Sequence, residues 1–212
     1  MKIFRLGESA IVLSEDPPAS LSVQRRIWSV ARAARGWTDV DDVVPGMNNV
    51  TLFARSHDDF GSLEERLRDA WETAVECEET QTPEIEIPVR YGGAEGPDLA
   101  FVSDSTGLTE KEVVEAHSGA VYVVYFMGFQ PGFAYLGGLD KRLHLERRAE
   151  PRARVLAGSV GIAGEQTGVY SQSAPGGWHI IGRTETRMFD LSRVPASLLA
   201  PGRRVRFVRR AQ

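Results

Sequence analysis

Residues 120–138 read AVYVVYFMGFQPGFAYLGG, and this stretch decides the fold of the second half of the chain. Its first seven residues are strongly apolar and are predicted to form one buried strand. Beyond them, glycine and proline recur at short intervals, at Gly128, Pro131, Gly132, Gly137, Gly138, Gly158, Gly161, Gly164, Gly168, Pro175, Gly176, Gly177 and Gly182. Short strands between dense turn signals are typical of a β-barrel or sandwich.

The first part of the chain has a different pattern, in which strands alternate with two amphipathic helices. Apolar residues from Val23 to Ala34 and from Leu63 to Val75 recur at helical spacing. The segment from Glu84 to Val89 alternates with period two, which predicts a strand that closes this region. The element order indicates an α+β, ferredoxin-like domain over residues 1–90, followed by the barrel over residues 91–212. The alternating basic tail at residues 203–210 is predicted to be a terminal strand.

Composition excludes several classes of protein. The 212 residues are 42% hydrophobic and 25% charged, with a formal net charge of −4, which predicts a globular chain without a nucleic-acid or membrane partner. Met1 to Arg5 lack a signal-like apolar stretch, so we expect a cytoplasmic location. Cys77 is the single cysteine, predicted to be a packing residue, and no cluster suggests a metal site. Neither a phosphate-binding P-loop nor a nucleophile elbow is present in the sequence.

Three glycine-rich stretches carry a resemblance to a known family. Residues 126–136, 158–170 and 175–184 closely resemble the signature blocks of the allophanate hydrolase subunit 1 family, which also contains KipI-type kinase inhibitors and the B subunit of 5-oxoprolinase. The resemblance implies a small α/β domain followed by a cyclophilin-like β-barrel. Three positions depart from the family pattern: Leu156 and Ser171 replace prolines, and Glu165 stands where glycine is usual.

The resemblance implies a subunit of an ATP-dependent 5-oxoprolinase, which converts 5-oxo-L-proline to L-glutamate. The implied partners are a C subunit of the allophanate hydrolase subunit 2 type and an A subunit, and an ATP site could be shared with a partner. Two alternatives stay open: a KipI-like inhibitor of a sensor histidine kinase, and a component of a urea carboxylase or allophanate hydrolase system. Because the sequence lacks a P-loop and a nucleophile elbow, we expect no amide hydrolysis by this chain alone.

Candidate site residues follow from chemistry within these blocks. Arginine forks suit a carboxylate or phosphate, although surface ion pairs would also explain them. Glutamines in glycine-rich loops could hydrogen-bond a lactam, and aromatic rings could form a pocket wall or only barrel core. His117 lies at a predicted helix end, where it could be catalytic or a cap. The predicted catalytic residues are His117, Gln130 and Gln166, and the predicted substrate-binding residues are Arg148, Arg152, Tyr170, Trp178 and Arg183.

Overall fold

The computed structural model describes residues 1–56, 60–76 and 83–210, and the chain divides into two compact units, Met1–Thr80 and Gln81–Gln212. Cys77, predicted to be a packing residue, lies outside the described residues. Within the described ranges, no helix is both long and apolar enough to cross a bilayer.

The first unit is an antiparallel sheet packed with two helices. Its strands run in the order β1-β2-β4-β3, and the core contains Ile11, Leu13, Ile27, Leu52 and Leu67. Burying one stripe of each helix and alternate residues of each strand removes apolar surface from water, which is the main stabilising contribution. In chain order the elements are β1 (Lys2–Leu6), β2 (Ala10–Ser14), α1 (Leu21–Ala34), β3 (Val40–Gly46), β4 (Asn49–Ala54) and α2 (Phe60–Thr73).

The second unit is a closed barrel of seven strands in the order β10-β7-β6-β13-β5-β12-β9, with an additional pair, β11-β8. The barrel predicted from the glycine and proline pattern is therefore confirmed, whereas its cyclophilin-like assignment stays a prediction. The elements are β5 (Ile85–Tyr91), α3 (Leu99–Thr106), α4 (Glu110–Gly119), β6 (Val121–Met127), β7 (Ala134–Gly137), a 3₁₀ turn (Lys141–Leu143), β8 (Arg152–Val155), β9 (Ser159–Ala163), β10 (Gln166–Val169), β11 (Ala174–Gly176), β12 (His179–Arg183) and β13 (Arg204–Arg209).

Strand β5 corrects the sequence analysis. The period-two segment predicted to close the first domain instead lies inside the barrel, antiparallel to β12 and parallel to β13. Alternation fixes which residues of a strand face a core but not which sheet receives the strand. The ferredoxin-like arrangement is consequently not confirmed, and a barrel fragment beginning at Arg90 would lose most of β5.

The basic tail does form the predicted terminal strand, β13, with Val205 and Phe207 fully buried.

Several glycines of the barrel make room for aromatic rings. A Cβ atom at Gly176 would lie 2.2 Å from the Tyr170 hydroxyl, and one at Gly168 would lie 3.2 Å from the Trp178 ring. A side chain at Gly176 would collide with the Tyr170 ring, and one at Gly168 would crowd the Trp178 ring and lie 2.8 Å from the Ala134 carbonyl. The glycine-rich pattern thus partly reflects an aromatic cluster, in which Tyr170, Trp178 and Phe133 are all buried.

Candidate functional site

A buried carboxylate gathers two of the predicted arginines. Asp98 precedes α3, and its side chain is only 5% exposed. Arg152 donates two hydrogen bonds to it, at 2.8 and 2.7 Å, and Arg148 donates a third at 3.1 Å. The Ile180 N–H donates a fourth at 2.6 Å, and the Asp98 N–H donates to the Ile180 carbonyl at 2.9 Å. This cluster joins α3, β8 and β12 over 82 residues of sequence.

The charge of Asp98 is held by its partners. Burial alone would raise the pKa of this carboxyl, but the bonds from Arg152 and the Ile180 N–H, with the Arg148 charge, hold it below its ordinary value. A fully paired buried carboxylate is therefore ionised at neutral pH. The side chains of Arg148 and Arg152 keep 30% and 27% exposure, so each retains a solvent-facing edge.

The third predicted arginine lies at the end of β12 in a more open setting. Arg183 Nε donates to the Ala157 carbonyl at 3.2 Å, and its Nη1 lies 3.5 Å from the Glu95 carboxylate. The two side chains are 40% and 34% exposed. Arg90 is the cross-strand neighbour of Arg183 on β5, and its own ion pair, with Glu185, spans 3.0 Å. A guanidinium held by one backbone acceptor and one long ion pair has donors left for a ligand.

Two clefts of about 330 Å³ each share Arg183 and Glu95. The first, here named the Arg183 cleft, contains three arginines and two glutamates, and its lining residues are Arg90, Glu95, Ala157, Gly158, Tyr170, Ser171, Arg183, Thr184, Glu185, Thr186, Arg187, Met188 and Phe189. The second adds Arg152 and Arg154 beside the apolar Val155, Leu156 and Ile180. Cationic groups beside apolar walls suit a small organic anion.

Tyr170 and Trp178 form part of the aromatic cluster beside the Arg183 cleft. Tyr170 lines that cleft, while Trp178 packs edge-on against Tyr170 and Phe133. Burial is the main reason that the pKa of the Tyr170 hydroxyl is raised, so this group is neutral at physiological pH. Tyr170 is only 2% exposed and its hydroxyl packs against Gly176, so it contributes to the cleft wall from within the aromatic cluster, where Trp178 packs against it.

The two predicted glutamines are held differently. Gln130 uses its Oε1 to accept hydrogen bonds from Ser171 Oγ at 3.1 Å and from the Gln172 N–H at 2.9 Å, which fixes its loop beside the Arg183 cleft. Gln166 begins β10, and its buried Nε2 has no hydrogen-bond partner within the described residues. A buried donor without a partner is costly and requires a partner such as water or a ligand.

His117 lies inside the barrel, away from solvent. It is fully buried, its Nδ1 lies 2.8 Å from the Tyr91 hydroxyl, and its Nε2 lies 2.8 Å from the Thr167 hydroxyl. Thr167 donates to the Gly161 carbonyl at 2.9 Å, so it accepts from Nε2–H, and the Tyr91 hydroxyl then donates to Nδ1. Burial lowers the pKa of His117 to about 3, which keeps the ring neutral. Contact with a substrate would require these bonds to open.

The structure thus brings some predicted residues together and separates others. Arg183 and Tyr170 line one cleft, Gln130 braces its wall, and Arg148 and Arg152 converge on Asp98. His117 lies in the barrel core. Sequence reasoning missed Asp98, Glu95 and Arg90 as site residues. The signal for Asp98 was an acidic residue directly before a short apolar helix, whereas Arg90 is recognisable only from its cross-strand register. No group of three or more potential metal ligands occurs among the residues that the structure describes.

Comparison with known proteins identifies the family. Residues 1–199 match the protein family described as carboxyltransferase domain, subdomain C and D. The 5-oxoprolinase B subunit of Escherichia coli O157:H7 is 50% identical over 208 residues, which cover 98% of this chain and 95% of that protein. The chain belongs to the family of 5-oxoprolinase B subunits. The corresponding 5-oxoprolinase protein of Haemophilus influenzae is 45% identical, with 98% of this chain and 97% of that protein covered.

Two solved structures resemble the whole chain. TTHA0988 is 32% identical with a TM-score of 0.81 and covers 96% of this chain, which spans only 40% of that protein. The urea carboxylase of Kluyveromyces lactis has a TM-score of 0.82 at 17% identity, a level that shows a shared fold alone, and 99% of this chain corresponds to 22% of that enzyme. The fold of this 5-oxoprolinase family therefore also occurs as a segment of longer proteins.

Proposed function

We propose that this chain is a subunit of an ATP-dependent 5-oxoprolinase that converts 5-oxo-L-proline, ATP and water to L-glutamate, ADP and phosphate. The observation that carries the proposal is the 50% identity, over nearly the full length of both chains, to the B subunit of an Escherichia coli 5-oxoprolinase. The geometry of the Arg183 cleft supports it, because 5-oxoproline is a small organic anion with one carboxylate and one lactam.

In the proposed site, Arg183 binds the substrate carboxylate through the donors that its pair with Glu95 leaves unused. Tyr170 forms part of the adjacent wall, while its hydroxyl packs against Gly176 inside the aromatic cluster. Arg148 and Arg152 set the position of β8 and β12 through Asp98. Arg152 also lines the second cleft, where its exposed edge faces an anionic group of substrate or phosphate. Gln130 holds the loop beside the cleft. Gln166 lines neither cleft, and its unpartnered Nε2 is a candidate donor to a water or to a ligand that reaches it.

The chemistry requires activation of the lactam. Attack of the amide oxygen on the γ-phosphorus of ATP forms a new O–P bond and releases ADP. Water then adds to the ring carbon, and collapse of the adduct cleaves the C–N bond to give the free amine and a γ-acyl phosphate. A second water hydrolyses this acyl phosphate to glutamate and phosphate. A positively charged, partly apolar cleft would stabilise the negative charge that develops in these steps. The catalytic role predicted for His117 stays a prediction and would require the closed network around it to rearrange.

We further infer that the activity is shared with a C subunit of the allophanate hydrolase subunit 2 type and with an A subunit, and that the ATP site is completed by a partner. Support comes from the relatives' name, which describes a subunit, and from the absence of a P-loop and a nucleophile elbow in the full sequence.

Reconstitution tests this function. The chain alone, each partner alone and the three together are incubated with 5-oxoproline, with and without ATP, and glutamate is measured by chromatography. We expect glutamate only when ATP and all partners are present. Turnover by this chain alone would contradict the shared site, and an inactive assembled complex would contradict the assignment itself.

A further inference from the structure

Arg183 and Glu95 form a boundary between two clefts. The Arg183 cleft lies on one side, and the second cleft of about 330 Å³, here named the Leu156 cleft, lies on the other. Residues 155–156 line the Leu156 cleft, and the next two residues, 157–158, line the Arg183 cleft. Arg183 Nε donates to the Ala157 carbonyl at 3.2 Å. The chain therefore passes from one cleft to the other at Arg183.

The segment that separates the clefts is a closed turn. The Ser159 N–H donates to the Leu156 carbonyl at 3.2 Å, and Gly158 has a φ of +83°, the conformation of the third residue of a type II turn. Backbone bonds hold the turn on both sides, since the Gly158 N–H donates to the Tyr170 carbonyl at 2.7 Å and the Thr184 N–H donates to the Gly158 carbonyl at 2.9 Å. The Leu156 side chain is 44% exposed, yet it projects from a fixed backbone.

The charged groups of the Leu156 cleft are mostly cationic. Three arginines, Arg152, Arg154 and Arg183, line it against a single carboxylate, Glu95. Arg152 is already bonded to Asp98 and contributes its charge. Arg154 is exposed, and its guanidinium has no ion-pair or hydrogen-bond partner within residues 1–56, 60–76 and 83–210. Guanidinium donors of this kind bind phosphate oxygens, often two at a time.

The rest of the Leu156 cleft is largely apolar. Val155, Leu156 and Ile180 contribute to its wall, whereas the Arg183 cleft has threonines and a serine in addition to its charged groups. A ligand that matches the Leu156 cleft therefore combines several negative charges with a flat apolar part. A nucleoside polyphosphate has this combination, and 5-oxoproline, with its single carboxylate, does not.

The shared boundary gives the two clefts the geometry that phosphoryl transfer needs. Reacting atoms must approach to about 3–3.5 Å, so the two substrates must lie side by side. Arg183 uses Nε for Ala157 and Nη1 for Glu95, and its Nη2 has no partner in the described part of the chain. A third cleft, of about 550 Å³ with Lys111, Arg209 and Arg210, shares no lining residue with the Arg183 cleft, so a nucleotide there would be too far away.

We propose that the Leu156 cleft holds the nucleoside triphosphate of the reaction, with its phosphates at Arg154 and Arg183 and its nucleoside against Val155 and Leu156. This inference rests on the proposed function and divides the two substrates between neighbouring clefts. A volume of about 330 Å³ is close to the lower end of the range for ligand sites, roughly 300–1,000 Å³, so part of the nucleotide extends beyond this chain.

Arg183 then acts at the point of transfer. The oxygen of a lactam in the Arg183 cleft forms a bond to the γ-phosphorus of a nucleotide in the Leu156 cleft. The bond from that phosphorus to the bridging oxygen breaks, its electron pair leaves with ADP, and the lactam nitrogen releases its proton to solvent. A guanidinium on the boundary stabilises the negative charge on the transferring group.

Nucleotide affinity of the assembled complex tests the proposal. Arg154→Gln removes a phosphate ligand, and Leu156→Asp places a negative charge beside the nucleotide. The matched controls are Arg209→Gln, at an exposed arginine of the third cleft, and Val75→Asp, at a 74% exposed valine of the first unit. Binding of the fluorescent analogue mant-ATP is measured by titration, and the glutamate assay gives KM for ATP and for 5-oxoproline separately.

We expect Arg154→Gln and Leu156→Asp each to raise the mant-ATP dissociation constant and the KM for ATP about tenfold, with KM for 5-oxoproline unchanged. Both controls keep wild-type values. All four variants keep the wild-type melting temperature, because the substituted side chains are exposed.

Three results would overturn the proposal: wild-type mant-ATP affinity in both Leu156-cleft variants, a loss of affinity confined to Arg209→Gln, or a raised KM for 5-oxoproline with KM for ATP unchanged. Each leaves the proposed function intact, provided that the wild-type complex forms glutamate. A wild-type complex that forms no glutamate, yet binds mant-ATP more tightly than the Arg154→Gln and Leu156→Asp complexes, would contradict the proposed function and support the nucleotide cleft.

Discussion

Asp98 and Glu95 lie three residues apart, and each pairs with arginine, yet their surroundings differ. Asp98 is nearly buried and accepts four hydrogen bonds from Arg148, Arg152 and the Ile180 N–H. Glu95 is one-third exposed and meets Arg183 at 3.5 Å. The Asp98 carboxylate is fully hydrogen-bonded and joins distant segments of the barrel unit, although the buried Nε of Arg148 has no partner among the described residues. The Glu95 pair instead leaves donors of Arg183 unused next to a cleft. Residue type alone does not distinguish an arginine that stabilises the fold from one that can bind a ligand.

The largest effect is expected from removing the buried charge. Asp98→Asn leaves two arginines facing a neutral amide, and we expect a loss of about 3 kcal/mol in the free energy of unfolding. Denaturant unfolding of the full chain measures it, with Asp104→Asn, an exposed acid on the helix that follows Asp98, as the control. Because the pKa of folded Asp98 is lowered, its stabilisation is present above the unfolded pKa of about 3.9 and is lost as pH falls below it. If Asp98→Asn were as stable as the wild type, the Asp98 pairing would stabilise the fold no more than the exposed Glu95–Arg183 pair.

A smaller effect, on activity rather than stability, is expected at the open arginine. Arg183→Lys keeps the charge but loses the planar guanidinium fork. We expect transition-state binding to weaken by about 1–3 kcal/mol, so that kcat/KM of the assembled complex falls roughly 5- to 150-fold. Arg32→Lys, on the exposed side of α1, is the matched control. Unfolding curves of both variants should coincide with the wild type. Wild-type kinetics of Arg183→Lys would exclude this arginine as the carboxylate ligand.

The smallest effect is expected from the open carboxylate. Glu95→Gln breaks a pair whose members are both more than one-third exposed, and such pairs contribute about 0–1 kcal/mol to stability. We expect an unfolding midpoint within error of the wild type, together with a KM for 5-oxoproline that is unchanged or lower because Arg183 is released. A stability loss as large as that of Asp98→Asn would show that the two carboxylates are equivalent after all.

Sequence was sufficient for the parts of the fold that depend on local patterns. Helical spacing from Val23 to Ala34 predicted α1, the glycine and proline spacing predicted the barrel, and the alternating tail predicted β13. Each helix or strand signal lies within about a dozen neighbouring residues, and the glycine and proline signal is a series of such short turns, so the physics behind each one is local. The chemistry of single residue types was also accessible, which is why arginines and glutamines in the glycine-rich blocks were singled out.

The tertiary structure decided the strand pairings and side-chain contacts that join residues far apart in the chain. Strand β5 alternates in a way that suits either sheet, and its pairing with β12 and β13, both far along the chain, places it in the barrel. Arg152 meets Asp98 across 54 residues, while His117 is enclosed by Tyr91 and Thr167 from separate strands. Burial and hydrogen-bond saturation belong to the assembled fold, because they depend on which side chains surround a group. The sequence by itself therefore determined the types of element and the candidate chemistry, and the tertiary structure decided which polar groups are closed within the core and which remain open to a ligand.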